Sequence, residues 1–98
     1  MSFAETAMEC ARVVRRVLAG EKLSAADLER EWPQSANGHG FLDELWNDLI
    51  ESGNPEATEM FRPLLEDLAS ILEAGPETPV EAERLFAEAT ARWDADQA

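Results

Sequence analysis

The sequence predicts an all-α fold: a compact bundle of four main helices plus one short helix, with antiparallel neighbours. Apolar residues recur at helical spacing through most of the 98 residues, and capping or stop signals separate the periodic segments. No segment alternates between apolar and polar residues over the length of a strand. Short connections favour antiparallel packing of consecutive helices. We therefore expect a single helical domain over residues 1–98.

The first helix is predicted to begin at a capping box formed by Ser2 and Glu5, and Gly20 provides its stop signal. Its predicted inward arc consists of Phe3, Ala7, Cys10, Ala11, Val14, Val17 and Leu18. Three arginines lie in the later turns: Arg12, Arg15 and Arg16. Cations there complement the helix dipole, so we interpret these arginines without a ligand.

The second helix is predicted to be short, over about residues 25–31, with a capping box of Ser24 and Asp27. Trp32 precedes Pro33 and therefore avoids helical angles, so we expect its ring to hold the start of the next loop against the core. That loop covers residues 33–40 and is rich in turn-forming residues. We expect His39, which lies between two glycines, to be a solvated loop residue.

Residues 41–53 predict a third, amphipathic helix. Its apolar half consists of Phe41, Leu42, Leu45, Trp46, Leu49 and Ile50. This half is wider than the apolar stripe of an ordinary surface helix, so we expect the helix to contact more than one neighbour and to lie at the centre of the bundle. Gly53 is its predicted stop.

The fourth helix is predicted to begin with Asn54 as N-cap and Pro55 as first residue, and to continue to Gly75. Pro63 lies inside it and predicts a kink near residues 59–62 in one bent helix. The predicted inward face consists of Ala57, Met60, Phe61, Leu64, Leu65, Leu68, Ile71 and Leu72.

The fifth helix is predicted to open with a capping box of Thr78 and Glu81, with Pro79 as its first residue. Its predicted inward stripe consists of Ala82, Leu85, Phe86, Ala89 and Trp93. We expect residues 94–98 to fray.

The charge is strongly acidic and unevenly distributed. The chain has 8 basic and 21 acidic side chains, a net charge of −13. Residues 1–40 carry five basic and six acidic side chains, whereas residues 41–98 carry three arginines and fifteen acidic side chains. Such a field repels nucleic acid and anionic membranes and attracts a basic protein. We therefore expect a basic protein partner, no direct nucleic-acid binding and no membrane binding.

Catalytic and metal-binding arrangements are not evident in the sequence. His39 is the single histidine and Cys10 the single cysteine, and Cys10 lies on a predicted buried face. Glu44, Asp48 and Glu51 form one acidic row, but there is no Glu-x-x-His pair and no calcium-binding loop. We expect a non-enzymatic protein without catalytic residues, metal or cofactor. Without a recognisable signal peptide or membrane span, we expect a cytoplasmic location.

The acidic faces of the third and fourth helices supply the candidate partner-binding residues: Asp43, Glu44, Asp48, Glu51, Glu59, Glu66, Asp67 and Glu73. A short acidic helical chain resembles in type the bacterial immunity proteins and the nucleic-acid mimics, which suggests an inhibitor that masks a basic partner. One alternative is that the acidity serves only solubility. Another is a helical adaptor or a self-associating structural protein, possibly a homodimer, anchored by Trp32, Trp46 and Trp93. Pairing of the candidate acids with arginines of the same chain would count against recognition.

Overall fold

In the computed structural model we describe residues 2–21, 23–51 and 55–97, without the side chains at positions 51 and 55–58. The elements are α1 (Phe3–Leu18), α2 (Ala25–Glu31), a 3₁₀ turn (Gln34–Ala36), α3 (Gly40–Glu51), α4 (Pro55–Glu73) and α5 (Pro79–Gln97). No strand occurs in these ranges. The radius of gyration is 12.6 Å, which is about the value for a compact domain of this length. The predicted all-α fold of four main helices and one short helix is confirmed.

The helix starts follow the predicted capping signals. The Ser2 hydroxyl accepts a hydrogen bond from the Glu5 backbone N–H at 3.3 Å. Ser24 and Asp27 form both hydrogen bonds of a capping box, at 3.1 and 3.2 Å. The Thr78 hydroxyl accepts from the Glu81 N–H at 3.2 Å. The predicted stop at 53 and N-cap at 54 lie outside the described residues.

The most extensive helix pair is α1 with α4, so the expectation that α3 forms the centre of the bundle is wrong. The whole predicted inward arc of α1 is buried except Phe3, which is half-buried. Thr6 and Val13 are buried as well, which widens the buried face. The Thr6 and Ser35 hydroxyl oxygens are 2.7 Å apart, because the 3₁₀ turn covers this side of α1.

Polar contacts join the last turn of α1 to two distant parts of α4, and a ring contact joins α4 to α5. Near the end of α1, Nη2 of Arg62 donates to the Leu18 carbonyl at 3.0 Å and satisfies an acceptor that has no helical partner. Earlier in α1, Nη2 of Arg15 donates to Oε1 of Glu73 at 2.7 Å, much later in α4. The rings of Phe61 and Trp93 lie 5.2 Å apart, which pairs the first half of α4 with the end of α5. Antiparallel packing of consecutive helices is therefore confirmed for α4 and α5.

Helix α3 contacts more than one neighbour, as predicted. Leu42, Leu45 and Leu49 are at most 2% exposed, and the other residues of the predicted apolar half are half-buried. The Phe41 ring lies edge-on to the Phe86 ring of α5 at 5.0 Å and 6.3 Å from the Phe3 ring of α1. This aromatic cluster joins α3 to both helices.

Two predictions about helix faces and ends are wrong. Met60 is 62% exposed, although we placed it on the inward face. The buried residues of α4 centre on Leu65, Leu68 and Leu72, and at 100° per residue Met60 lies about 140° from Leu65. The end of α5 remains helical through Gln97, beyond the expected fraying point. Helix α4 passes through Pro63 as one helix, as predicted, and the kink there stays a prediction.

The connection between α2 and α3 is more ordered than expected. Trp32 is 8% exposed and has extended backbone angles, which confirms that it holds the start of this segment against the core. His39 is half-buried, and its ring lies edge-on to the Phe3 ring at 5.3 Å. Its backbone carbonyl accepts hydrogen bonds from Leu42 and Asp43, both at 3.0 Å, at the start of α3. The prediction of a solvated His39 is therefore wrong, because ring packing and its place at the helix start fix this residue.

Candidate functional site

Helix α3 forms part of the wall of two separate cavities, each of about 490 Å³. Phe41, Glu44, Leu45 and Asp48 are spaced three or four residues apart and line the first cavity. Asp43, Trp46 and Asn47 have the same kind of spacing and line the second. Adjacent acids on α3 therefore belong to different sites.

The first cavity, which we call the α3–α5 groove, has an apolar floor and acidic edges. The floor consists of Phe41, Leu45, Leu64, Leu68, Phe86, Ala87 and Ala91. Glu44 and Asp48 form the edge on α3, and Glu83 and Asp94 form the edge on α5. Thr90 completes the lining, and its hydroxyl donates to the Phe86 carbonyl at 2.9 Å.

The described residues that line the groove include no basic residue, so its exposed carboxylates Glu44, Glu83 and Asp94 produce a negative field. Glu44, Glu83 and Asp94 are exposed and form no ion pair with any side chain in the described part of the chain. Carboxylates beside a poorly hydrated apolar floor interact more strongly with a bound cation than carboxylates in open water, because the local dielectric constant is lower. The groove is therefore suited to a ligand that is both apolar and positively charged.

The second cavity, which we call the α2–α3 pocket, lies on the other side of α3. Its lining consists of Glu29, Trp32, Gln34, Asn37, Asp43, Trp46 and Asn47. The α2 capping box fixes the start of α2, and the burial of Trp32 fixes the chain at its end. Two indoles, two carboxylates and three primary amides therefore surround one space.

The structure separates the candidate acids that were predicted from sequence. Glu44 and Asp48 lie at the α3–α5 groove and Asp43 at the α2–α3 pocket. Asp67 is exposed on α4 and lines neither cavity. The side chain of residue 51 lies outside the described part of the chain, so the prediction for Glu51 stays a prediction.

Three other candidates have arginine partners in the same chain. Arg62 lies 3.0 Å from a carboxylate oxygen of Glu59 and 3.7 Å from one of Glu66. Arg15 binds Glu73 through Nη2 at 2.7 Å and through Nε at 3.3 Å. Hydrogen bonds from Arg15 hold the pKa of the Glu73 carboxyl below its usual value. This pairing counts against a partner-binding role for Glu59, Glu66 and Glu73, whereas Asp43, Glu44 and Asp67 form no such pair with any side chain that the structure describes.

Replacing Glu73 with glutamine is expected to lower the free energy of unfolding by less than about 1 kcal/mol at neutral pH, because the Glu73 and Arg15 side chains are 40% and 41% exposed. The folded-state pKa of Glu73 is lowered, so this stabilisation is present above its unfolded pKa and is lost as the pH falls through its folded pKa. Urea unfolding of both proteins should therefore differ at about pH 7 and coincide at about pH 2. A difference that persists in acid would contradict the ion-pair interpretation.

Several residues that line these cavities are not among the candidates named from sequence, including Glu83 and Asp94 of the groove and Glu29 and Gln34 of the pocket. Glu83 and Asp94 are eleven residues apart, about three helical turns, so they lie on one face of α5. That spacing was a usable signal. The sequence contains no comparable spacing for the residues of the pocket, because α2, the 3₁₀ turn and α3 approach one another only in the folded chain.

The groups considered for catalysis lie away from both cavities. His39 and Cys10 line neither of them. Burial raises the pKa of the Cys10 thiol to about 12, with a smaller contribution from Glu9, so the thiol is protonated and unreactive in the folded chain. The described residues contain no group of three His, Cys, Asp or Glu side chains that could hold a metal ion. Among the described helices, none combines the length and apolar character needed to cross a bilayer.

Comparison with protein-family models, with curated proteins and with solved structures finds no match for this chain. The two cavities are therefore interpreted from their own geometry and chemistry.

Proposed function

We propose that the protein is a non-enzymatic binding module that uses the α3–α5 groove to hold and mask a basic segment of a protein partner. The observation that supports this most is the placement of carboxylates on both edges of an apolar floor, with no basic residue among the lining residues that the structure describes. The excess of acidic side chains after residue 40 supports it at longer range, because a negative field accelerates encounter with a basic protein.

The shape of the groove indicates which kind of segment fits. The apolar floor binds aliphatic or aromatic side chains, and the two acidic edges bind lysine or arginine. An amphipathic helix with a basic residue on each side of its apolar face matches this arrangement. Its apolar face would lie on the floor of the groove, and its basic residues would lie beside the two acidic edges. Glu83 and Asp94 are about 16 Å apart along α5, so the matching segment has about three helical turns.

A partner with a basic amphipathic segment indicates which kind of activity the protein would inhibit. Basic amphipathic segments are found in proteins that bind nucleic acid or anionic surfaces, and occupation of the groove would remove such a segment from its own target. The specific form of our proposal is an inhibitor of this kind in the bacterial cytoplasm, such as an immunity protein that neutralises a toxin. Nucleic acid itself is not the proposed ligand, because the groove would repel it.

Self-association or an adaptor role is the alternative, and it has less support. It depended on exposed tryptophans as interface anchors, but Trp32 is buried and Trp46 and Trp93 are half-buried. Two copies that met through the α3–α5 groove would also bring like charges together.

The charge of the groove can be tested with a synthetic peptide of leucine and lysine whose leucines form one helical face. The variant Glu44→Lys/Glu83→Lys should bind this peptide at least about tenfold more weakly than Asp67→Lys/Glu77→Lys. Both variants change the net charge equally, but Asp67 and Glu77 are exposed residues that line neither cavity. Fluorescence anisotropy of the labelled peptide, at low and high salt, measures the dissociation constants.

A second variant tests occupancy without changing charge. Ala87 is exposed in the groove, so Ala87→Trp should fill the groove and weaken peptide binding, whereas Ala95→Trp on the same helix should not. Equal binding by both charge variants would show that only net charge matters and would contradict the proposal. Equal binding of a peptide with the same composition but a scrambled apolar face would contradict it as well.

A further inference from the structure

The α2–α3 pocket combines aromatic and acidic side chains, and none of the described residues in its lining is basic. Trp32 and Trp46 supply two indole rings, and Glu29 and Asp43 supply two carboxylates. Neither carboxylate is paired with an arginine in the described part of the chain. The pocket therefore repels anions and attracts cations both through full charges and through the negative faces of the rings.

The type of cation follows from the lining. A metal ion needs several oxygen ligands in close contact, and no such group of carboxylates occurs among the described residues. Indole rings cannot replace those ligands, but they attract organic cations at the ring face. Alkylated ammonium groups suit such a surface, because their charge is spread over methyl groups that are weakly hydrated. The three amides of the lining leave polar groups for the rest of a ligand.

The Trp32 ring is held in this wall by packing alone. Trp32 is 8% exposed, and its Nε1–H is buried without a hydrogen-bond acceptor among the described groups. Buried indole N–H groups usually have an acceptor, and leaving one without a partner is unfavourable. The Nε1–H of Trp93, which lines neither cavity, is in the same state, so it is the lining of the pocket and not this N–H that points to a ligand.

We propose that the α2–α3 pocket is a binding site for an alkylated ammonium group. In this site Trp32 and Trp46 contact the methyl groups, and Glu29 and Asp43 balance the charge. The group could belong to a free small molecule such as choline or to a methylated lysine side chain, since the recognised chemistry is the same. The proposal is independent of peptide binding, because this pocket and the α3–α5 groove have no residue in common.

Choline and its neutral isostere 3,3-dimethylbutan-1-ol are the probes for this proposal. Intrinsic tryptophan fluorescence should show saturable binding of choline, with a dissociation constant of about 1 mM, the range expected for one small cation in a partly open site. The neutral isostere should bind at least about tenfold more weakly. Sodium chloride at the same ionic strength serves as the blank. No saturable change up to about 50 mM choline, or equal binding of the isostere, would overturn the proposal.

Adjacent acids on α3 provide a matched pair of variants. Asp43→Asn should weaken choline binding by about three- to tenfold, whereas Glu44→Gln should leave it unchanged, because Glu44 lines the other cavity. Both residues are exposed, so neither change should disturb folding. Trp46→Phe keeps a ring of weaker cation affinity and should give an intermediate loss. If Asp43→Asn and Glu44→Gln changed the affinity for choline equally, binding would depend only on the net charge of the protein. That result would contradict a specific site in the α2–α3 pocket.

A peptide with one trimethyllysine among neutral residues distinguishes the two sources of the ammonium group. Tighter binding of this peptide than of choline indicates a methylated protein, and binding of choline alone indicates a free small molecule. The unmodified lysine peptide is the control and should bind more weakly. The Ala87→Trp variant should bind choline normally, so failure of the groove proposal and failure of the pocket proposal give different results.

Discussion

Replacing Leu42 with alanine is expected to lower the free energy of unfolding by about 2–5 kcal/mol, because the change removes apolar contacts and leaves a cavity in the core. The Leu42 side chain is 0% exposed, so all of its apolar surface is removed from water and packed in the core. A domain of this size is typically stable by about 5–15 kcal/mol in total, so the variant should lose a large share of its stability. Urea unfolding followed by circular dichroism measures the loss.

Leu42 is an informative position because α3 forms part of both cavity walls while Leu42 itself lines neither. Val80→Ala is the control, since Val80 is 78% exposed, and it should change stability by no more than about 0.5 kcal/mol. A loss below about 1 kcal/mol for Leu42→Ala would show that α3 is loosely attached to the bundle. In that case neither cavity would have the fixed wall that ligand binding requires.

Helices and their starts could be predicted because their determinants are local. The Ser24 and Thr78 hydroxyls accept hydrogen bonds from backbone N–H groups only three residues away, and the inward positions of α5 follow from helical periodicity. The extensive packing of α1 against α4 could not be predicted from local sequence patterns. Thr6 is polar, and it is buried because the 3₁₀ turn, with Ser35 at 2.7 Å, lies against it.

It was harder to predict whether a residue near the surface is buried or exposed, because the fold decides which side of a helix is covered. Met60 fits a broad apolar arc of α4, yet the inward face proved narrower. His39 has glycine neighbours that suggest a mobile loop, but the rings of Phe3 and Phe41 lie 5.3 and 6.3 Å from it. Both errors arise because packing between helices, and not the local pattern, decides which side chains are covered.

The candidate site could be predicted only as an acidic surface. The number and distribution of carboxylates are visible in the sequence, but their pairing is not. Glu73 is held by Arg15 across 58 residues, and no local pattern identifies that contact. The α3–α5 groove likewise requires that α3 and α5 approach each other, as the Phe41–Phe86 ring contact and the joint lining by Glu44 and Glu83 show.

The Cys10 thiol is expected to react with a disulfide reagent at least about 1000-fold more slowly in the folded chain than in urea at about pH 8. Cys10 is 0% exposed, and burial raises its pKa from 9.0 to about 12, which reduces the reactive thiolate by about three orders of magnitude. Absorbance of the released thiolate measures both rates. Fast labelling of the folded protein would show that α1 is not buried in the bundle.

The same pKa shift makes stability depend on pH, and the direction follows from linkage. Above about pH 9 the unfolded chain releases the thiol proton while the folded chain retains it until about pH 12, so folding becomes less favourable as the pH rises. The free energy of unfolding should fall by up to about 1.4 kcal/mol per pH unit in this range, and the Cys10→Ala variant should lack this contribution.

If labelling of the Cys10 thiol occurs through global unfolding, Leu42→Ala should accelerate it by about tenfold for each 1.4 kcal/mol of lost stability. A smaller acceleration would show that α1 opens without the release of α3, and that the walls of the two cavities are held independently of the α1–α4 pair.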